Sequence, residues 1–304
     1  MPAADPAVAC RLNALPGRRR AAGGTRILVA LLLVAVLAAC STATRVAYNN
    51  APLAGTWVVD DWFDLHDGQR DWVKERLARY MAWHRASELP EYERLLQDIA
   101  ARAGTRITAD DARRAFREMR ALYHRALRQA IPDMADFLLL AHPEQVDRLA
   151  KKFEEDNAKA VKESVRGTPA ERQEVRVKRF VERIEDWTGR LSKPQRELVR
   201  ARVSAMEDLT DEWMGDRRFR QSETLALLRA KPPREAMIAG LTRILVDADA
   251  WRRPEYAAKL KARDEQVFAM IAALDATLAP EQRAKLHGKV RGYAADVAFL
   301  MAAN

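Results

Sequence analysis

Leu191-Ser192-Lys193-Pro194-Gln195-Arg196 reads as the start of a helix. Ser192 is a favoured N-cap, and Pro194 suits a first turn whose N–H groups have no intrahelical acceptor. Gln195 stands at the third helical position, from which its side chain reaches back to the N–H of the cap residue. The frame recurs at Leu65-His66-Asp67-Gly68-Gln69, Ala141-His142-Pro143-Glu144-Gln145 and Leu278-Ala279-Pro280-Glu281-Gln282. An arginine follows Gln69, Gln195 and Gln282. Of the four cap residues only Ser192 is a good reciprocal cap, so capping alone explains the four copies incompletely.

Outward from these starts the chain reads as helix nearly throughout. Ala, Leu, Arg, Glu and Lys dominate, Gly is scarce, and no stretch alternates with period two over the length of a strand. The pattern predicts helices over 52–64, 67–86, 89–103, 108–130, 133–140, 143–165, 169–190, 193–214, 219–230, 233–248, 252–277 and 280–302. Prolines at 90, 132, 143, 169, 232, 233, 254 and 280 mark the breaks, because proline is tolerated in a first turn and not in a helix interior. Thr108-Ala109-Asp110-Asp111 and Thr168-Pro169-Ala170-Glu171 have the form of caps with an acid three residues on. Long helices joined by short turns pack as antiparallel neighbours. The expected fold is therefore all-α, an elongated helical bundle or an array of helical hairpins. The spacing of the four Gln starts, with Trp83 and Trp213 each followed twelve residues on by Leu95 and Leu225, suggests a duplication of residues 65–150 as 191–287.

Ahead of this helical region, residues 52–304, the chain has a different character. Arg18, Arg19, Arg20 and Arg26 precede an apolar run from Ile27 to Ala39, which ends in Leu37-Ala38-Ala39-Cys40 and returns to polarity at Ser41. The run is shorter than the ~20 apolar residues of a membrane-spanning helix. This stretch resembles a bacterial lipoprotein signal peptide. The resemblance implies removal of residues 1–39, acylation of Cys40, a short tether over 40–51, and export to the periplasmic face of the outer membrane, the last by analogy from Ser41. Cys10 lies in the leader, so a processed chain has Cys40 as its one cysteine, which excludes disulfides, cysteine-based zinc sites and cysteine nucleophiles. Loss of the leader takes five arginines and Asp5 from 52 basic and 43 acidic side chains, leaving 47 and 42. The remaining charge is dense and interleaved, as on solvated helix faces, and not the clustered Lys/Arg of a nucleic-acid surface.

Tyr48-Asn49-Asn50, Trp57, Asp60-Asp61, Leu65, Gln69-Arg70, Trp83-His84 and Leu89-Pro90-x-Tyr92 together resemble an uncharacterised family of Gram-negative lipoproteins. That resemblance spans essentially the whole processed chain and implies an all-helical fold, with no activity attached. The starts at Leu191 and Leu278 resemble, more locally, the Leu-Thr-x-x-Gln repeat of small periplasmic helical stress chaperones, which have Thr where this chain has Ser192, Ala279, His66 or His142. It implies a cradle for unfolded polypeptides.

The segment from Trp57 to Asp67 is the densest in polar and aromatic groups. Positions 57, 58, 61, 62 and 65 share a helix face, which places Asp61 in an apolar stripe and predicts a buried ion pair with Arg70, Arg76 or Arg79. Asp60, Asp61, Asp64 and His66, with Asp67 beside them, are the candidates for a polar binding or structural cluster, and Asp60, Asp61 and His66 for a second alternative, a hydrolase or metal-binding site, although the spaced acids and turn glycine of a Ca²⁺ loop are missing. The five histidines form no His-x-x-x-His or Glu-x-x-His pair, and the chain has no Gly-x-Ser-x-Gly, Gly-x-Gly-x-x-Gly or Walker sequence. His66 and His142 stand at cap positions, and His84 reads as a C-terminal helix cation or a core partner. Trp57, Trp62, Trp72 and Trp83 read as core packing or as a belt at the membrane interface. The expectation is a lipoprotein without catalytic residues, metal or cofactor, anchored to the membrane at Cys40, that binds a protein partner or unfolded clients.

Overall fold

The structure is a computed structural model that describes residues 45–162, 166–247, 249 and 252–302; the leader and Cys40 lie outside them. Eleven α-helices and no strand are present among the described residues: α1 (Ala51–Phe63), α2 (Asp67–Trp83), α3 (Leu89–Ala103), α4 (Ala109–Leu140), α5 (Pro143–Ala160), α6 (Pro169–Thr188), α7 (Lys193–Ser204), α8 (Thr210–Ala230), α9 (Arg234–Leu245), α10 (Pro254–Asp275) and α11 (Pro280–Ala302). Residues 45–49 add a helical turn before α1. The fold is all-α, and Thr44–Asn304 form a compact unit. No helix among the described residues is long and apolar enough to cross a membrane.

The longest helix, α4, spans about 48 Å at 1.5 Å per residue and packs on α2, α3, α9 and α10. One core cluster gathers around its C-terminal half, where Ile131, Ala135, Phe137 and Leu138 meet Leu65, Val73, Val146, Leu149, Leu228, Met237 and Leu241. A second joins α6, α7 and α10 through Val177, Leu191, Val199, Val203, Met270 and Leu274. Several of the helix contacts come in matching sets. Helix α1 packs on α2 and α5, as α6 packs on α7 and α11; α2 packs on α4, as α7 packs on α10; α3 lies along α11, as α8 lies against α5.

Two predicted boundaries are corrected. Pro132 does not end a helix but lies inside α4. An interior proline costs ~3 kcal/mol, but an unbroken α4 keeps Ile131, Ala135 and Leu138 on one buried face, and that burial outweighs the lost N–H. The predicted helix 193–214 stops at Ser204, and the next begins at Thr210 rather than 219. No proline or glycine marks this break. The chain turns so that Met206 and Leu209 are buried and the Asp208 carboxylate accepts hydrogen bonds from the N–H and hydroxyl of Thr210.

Between α2 and α3 the helix widens into a π turn, His84–Glu88, where Leu89 N–H bonds the carbonyl of His84. Pro90 follows and offers no donor to the turn before it, and a π turn is one way for a helix to absorb such a gap. Glu88 in this turn is 0% exposed and takes both Nε and Nη2 of Arg125 from α4, at 2.6 and 3.1 Å.

Candidate functional site

The four Gln starts come together in two pairs. Gln69 Nε2 donates to Gln145 Oε1 at 3.2 Å, and Gln145 Nε2 returns a bond to Gln69 Oε1 at 2.7 Å. Gln195 and Gln282 repeat the exchange at 2.8 and 3.0 Å. Each Oε1 also accepts the N–H of its own cap residue, from His66, His142, Ser192 and Ala279. The amide groups of Gln145, Gln195 and Gln282 reach beyond their own helices, to the carbonyls of Asp64, Thr277 and Arg190. These glutamines are structural keystones that tie two helix starts together, which is what capping alone left unexplained.

The predicted acidic cluster is dispersed. Asp60 accepts the N–H of Leu65 and a guanidinium N–H of Arg70, both at 2.9 Å, and the Arg70 hydrogen bond holds its carboxyl below the usual range. Asp61 is not buried: its side chain is 61% exposed and meets Lys152 of α5 at 2.8 Å rather than Arg70, Arg76 or Arg79. The face assigned to the core is wrong by about a third of a turn, since Trp57 is 64% exposed while Thr56 is buried and Val59, Trp62 and Phe63 pack on the core. Asp64 is an exposed left-handed residue closing α1, and His66 caps α2, its ring edge-on to His142. No group of three or more His, Cys, Asp or Glu side chains among the described residues is arranged to hold a metal ion.

Some of the residues that carry the lipoprotein resemblance, Tyr48, Asn49, Trp83, His84 and Tyr92, do converge, in a place that spacing along the chain did not indicate. Tyr48 Oη shares a 2.9 Å hydrogen bond with His84 Nδ1, and the His84 ring also contacts Tyr80, Trp83 and Tyr92. Arg85 lies over the Tyr48 ring and donates to Asn49 Oδ1 and to the carbonyl of Leu300 at the end of α11. Arg45 binds the buried Asp296 of α11 at 2.9 Å and covers Phe299. Burial pushes the Tyr48 hydroxyl up to about 12 and lowers His84 below its ordinary value, with Glu88 opposing. His84 is therefore a core partner and not a helix-end cation. This cluster anchors residues 45–50 onto the π turn and α11.

A groove between α6 and α10 offers room for a ligand. It consists of two chambers that share Phe180 and Val267. One, of about 430 Å³, is lined by Ile184, Trp187, Met270, Ile271 and Leu274. Its polar groups are turned to other work: Thr188 Oγ1 donates to Ile184 O, and Asp275 takes Arg283 and the N–H of Ile107. The other, of about 460 Å³, is lined by Arg172, Arg176, Arg179 and Arg263, with Asp208 at its wall. Asp208 takes Arg172 at 2.9 Å and Arg176 at 2.8 Å. Burial raises its carboxyl, and the hydrogen bonds from Thr210, Arg172 and Arg176 outweigh that and bring it down to about 2. Of the other acids, Glu207 is held by Lys259, Glu171 caps α6 at Thr168, and burial pushes Asp264 up. The sequence reading missed this groove because its walls are two ordinary amphipathic helices nearly a hundred residues apart.

No curated protein and no solved structure matches the chain. A family model does match, over residues 61–257, which include the Gln69, Gln145 and Gln195 starts, the π turn and α6, and exclude Tyr48 and Gln282. The chain therefore belongs to DUF6279, a family of unknown function.

Proposed function

We propose that the protein is a lipoprotein of the outer membrane, anchored at Cys40 and facing the periplasm, that works without catalysis by holding an apolar ligand in the groove between α6 and α10. The observation that carries this reading is the groove itself: two adjoining chambers of ligand size, one with a mostly apolar lining whose Thr188 and Asp275 are engaged within the protein. Ligand sites are typically ~300–1,000 Å³ and mostly apolar. The anchor reading rests on the leader and on Tyr48, which is seated on the bundle eight residues beyond Cys40 and so brings the helices close to the bilayer. We also propose that the two halves are copies of one unit, with α1 to α5 related to α6–α8, α10 and α11. The two Gln pairs and the matching helix contacts support this. On that relation the space between α1 and α4 corresponds to the groove, and there Phe63 packs edge-on against Phe137 at 5.1 Å, with Trp72 stacked beside it. One copy is plugged by aromatic rings and the other is open.

The test uses residues 44–304 and the neutral apolar probe N-phenyl-1-naphthylamine. Probe fluorescence should rise on binding and fall back in Ile271→Trp, which fills the open chamber. Probe binding that ignores this substitution would reject the groove. Palmitate labelling that depends on Cys40, together with sedimentation with the outer membrane, tests the anchor. A second reading, a cradle for unfolded clients, is favoured by the arginines along an apolar floor. It requires suppression of aggregation across unrelated unfolding proteins.

A further inference from the structure

We propose that the groove takes a lysophospholipid, with its single acyl chain in the apolar chamber and its anionic glycerophosphate head among the arginines of the other; this rests on the binding-groove reading above. The two chambers adjoin at Phe180 and Val267, which line both, so a ligand lying along the groove meets one chamber with its tail and the other with its head. An apolar tail joined to a charged head is the chemistry that satisfies both.

The apolar chamber discriminates between a hydrocarbon chain and a polypeptide. A buried backbone must have each N–H and C=O hydrogen-bonded. Thr188 and Asp275 are already engaged within the protein, so the lining offers a peptide backbone few partners. A chain of methylenes needs none, and gains ~0.8 kcal/mol for each CH₂ removed from water. Its volume of about 430 Å³ suits one acyl chain and not two.

The second chamber selects the head. Arg172 and Arg176 both bond Asp208, Glu207 at the same chamber is held by Lys259, and Arg263 has no ion-pair partner among the described residues. Guanidinium groups bind phosphate oxygens through paired N–H donors. The chamber is as large as its apolar neighbour, about 460 against 430 Å³, so a bare carboxylate would leave most of it to water. A glycerophosphate occupies more of it than a carboxylate does and brings more acceptor oxygens to the guanidinium groups. Arg183, also without an ion-pair partner among the described residues, lines the apolar chamber and adds positive potential there.

Native mass spectrometry and calorimetry on residues 44–304 test this with palmitoyl-lysophosphatidylglycerol below its micellar concentration, beside palmitate, palmitoyl-lysophosphatidylcholine and an acidic amphipathic peptide. One molecule of the lysophosphatidylglycerol should bind per chain, more tightly than the other three. Ile271→Trp should abolish binding, and Arg263→Glu should weaken it by about tenfold or more while leaving the neutral naphthylamine probe unaffected. Equal binding of palmitate and lysophosphatidylglycerol, both insensitive to Arg263→Glu, would overturn the assignment of the head. Tighter binding of the peptide, lost in Ile271→Trp, would overturn it in favour of a polypeptide groove. If the probe binds and the lysophospholipid does not, this inference fails and the groove reading survives; if neither binds, both fail.

Discussion

Replacing Gln195 by alanine removes a side chain that is 5% exposed and makes four hydrogen bonds: from Ser192 N–H and Gln282 Nε2 to its oxygen, and from its Nε2 to Thr277 O and Gln282 Oε1. At a net ~1 kcal/mol per bond, and with Thr277 able to recover water, the loss should be about 3 kcal/mol. Gln282 makes four bonds as well but is half-exposed, so Gln282→Ala should cost about 2 kcal/mol. Two of the bonds are common to both residues. The double variant should therefore fall short of the sum by about 1–2 kcal/mol, within the ~0.5–3 kcal/mol measured for contacting pairs. Urea unfolding of residues 44–304 followed by circular dichroism gives all four corners of the cycle. Additivity within ~0.5 kcal/mol would refute the pairing, and with it the argument that these motifs do more than cap their own helices.

Asp208 makes a pH-dependent prediction. Its carboxyl is about 2 in the folded protein and 3.8 ordinarily, so its stabilisation is present above ~4 and is lost as pH falls toward 2. Asp208→Asn should cost ~2 kcal/mol at pH 7 and converge with the parent near pH 2; a gap that stays constant with pH would show that the arginines do not depend on this charge. His84 is lowered by burial, so the neutral ring stabilises the fold above its unfolded value near 6.5 and that contribution fades as pH drops. Tyr48→Phe should speed amide exchange in residues 45–50 with little effect on α4, as hydrogen-exchange mass spectrometry would detect. Glu88→Ala removes the fully buried partner of Arg125 and should cost about 3 kcal/mol, whereas Lys152→Ala, at an exposed pair with Asp61, should change stability by less than ~0.5 kcal/mol.

Helix-scale features were readable because they are local. Thr108, Thr168 and Ser192 cap their helices with the acid or amide three residues on, as their spacing implies. Errors arose where burial overrode local preference. Pro132 sits inside a helix because the residues around it belong to the core, and the chain breaks at 205–209 because Met206, Asp208 and Leu209 each find partners from other helices. Asp208-x-Thr210 was a capping signal that could have been read there. Trp57 and Asp61 were assigned to the core from amphipathic spacing, yet the apolar content of α1 is spread around the helix, so spacing could not choose the face.

The sequence by itself determined an all-α chain, the positions of most helix ends and four equivalent Gln starts, and it raised the expectation of a leader of the lipoprotein kind. These follow from capping, proline geometry and hydrophobic run length, which act over a few residues. Only the tertiary structure decided that Gln69 pairs with Gln145 and Gln195 with Gln282, that Tyr48 reaches His84, and that α6 and α10 stand apart to leave a two-chambered groove. Partners so far apart along the chain are chosen by which apolar faces pack most completely, and that choice is made by the whole chain at once rather than by any segment of it.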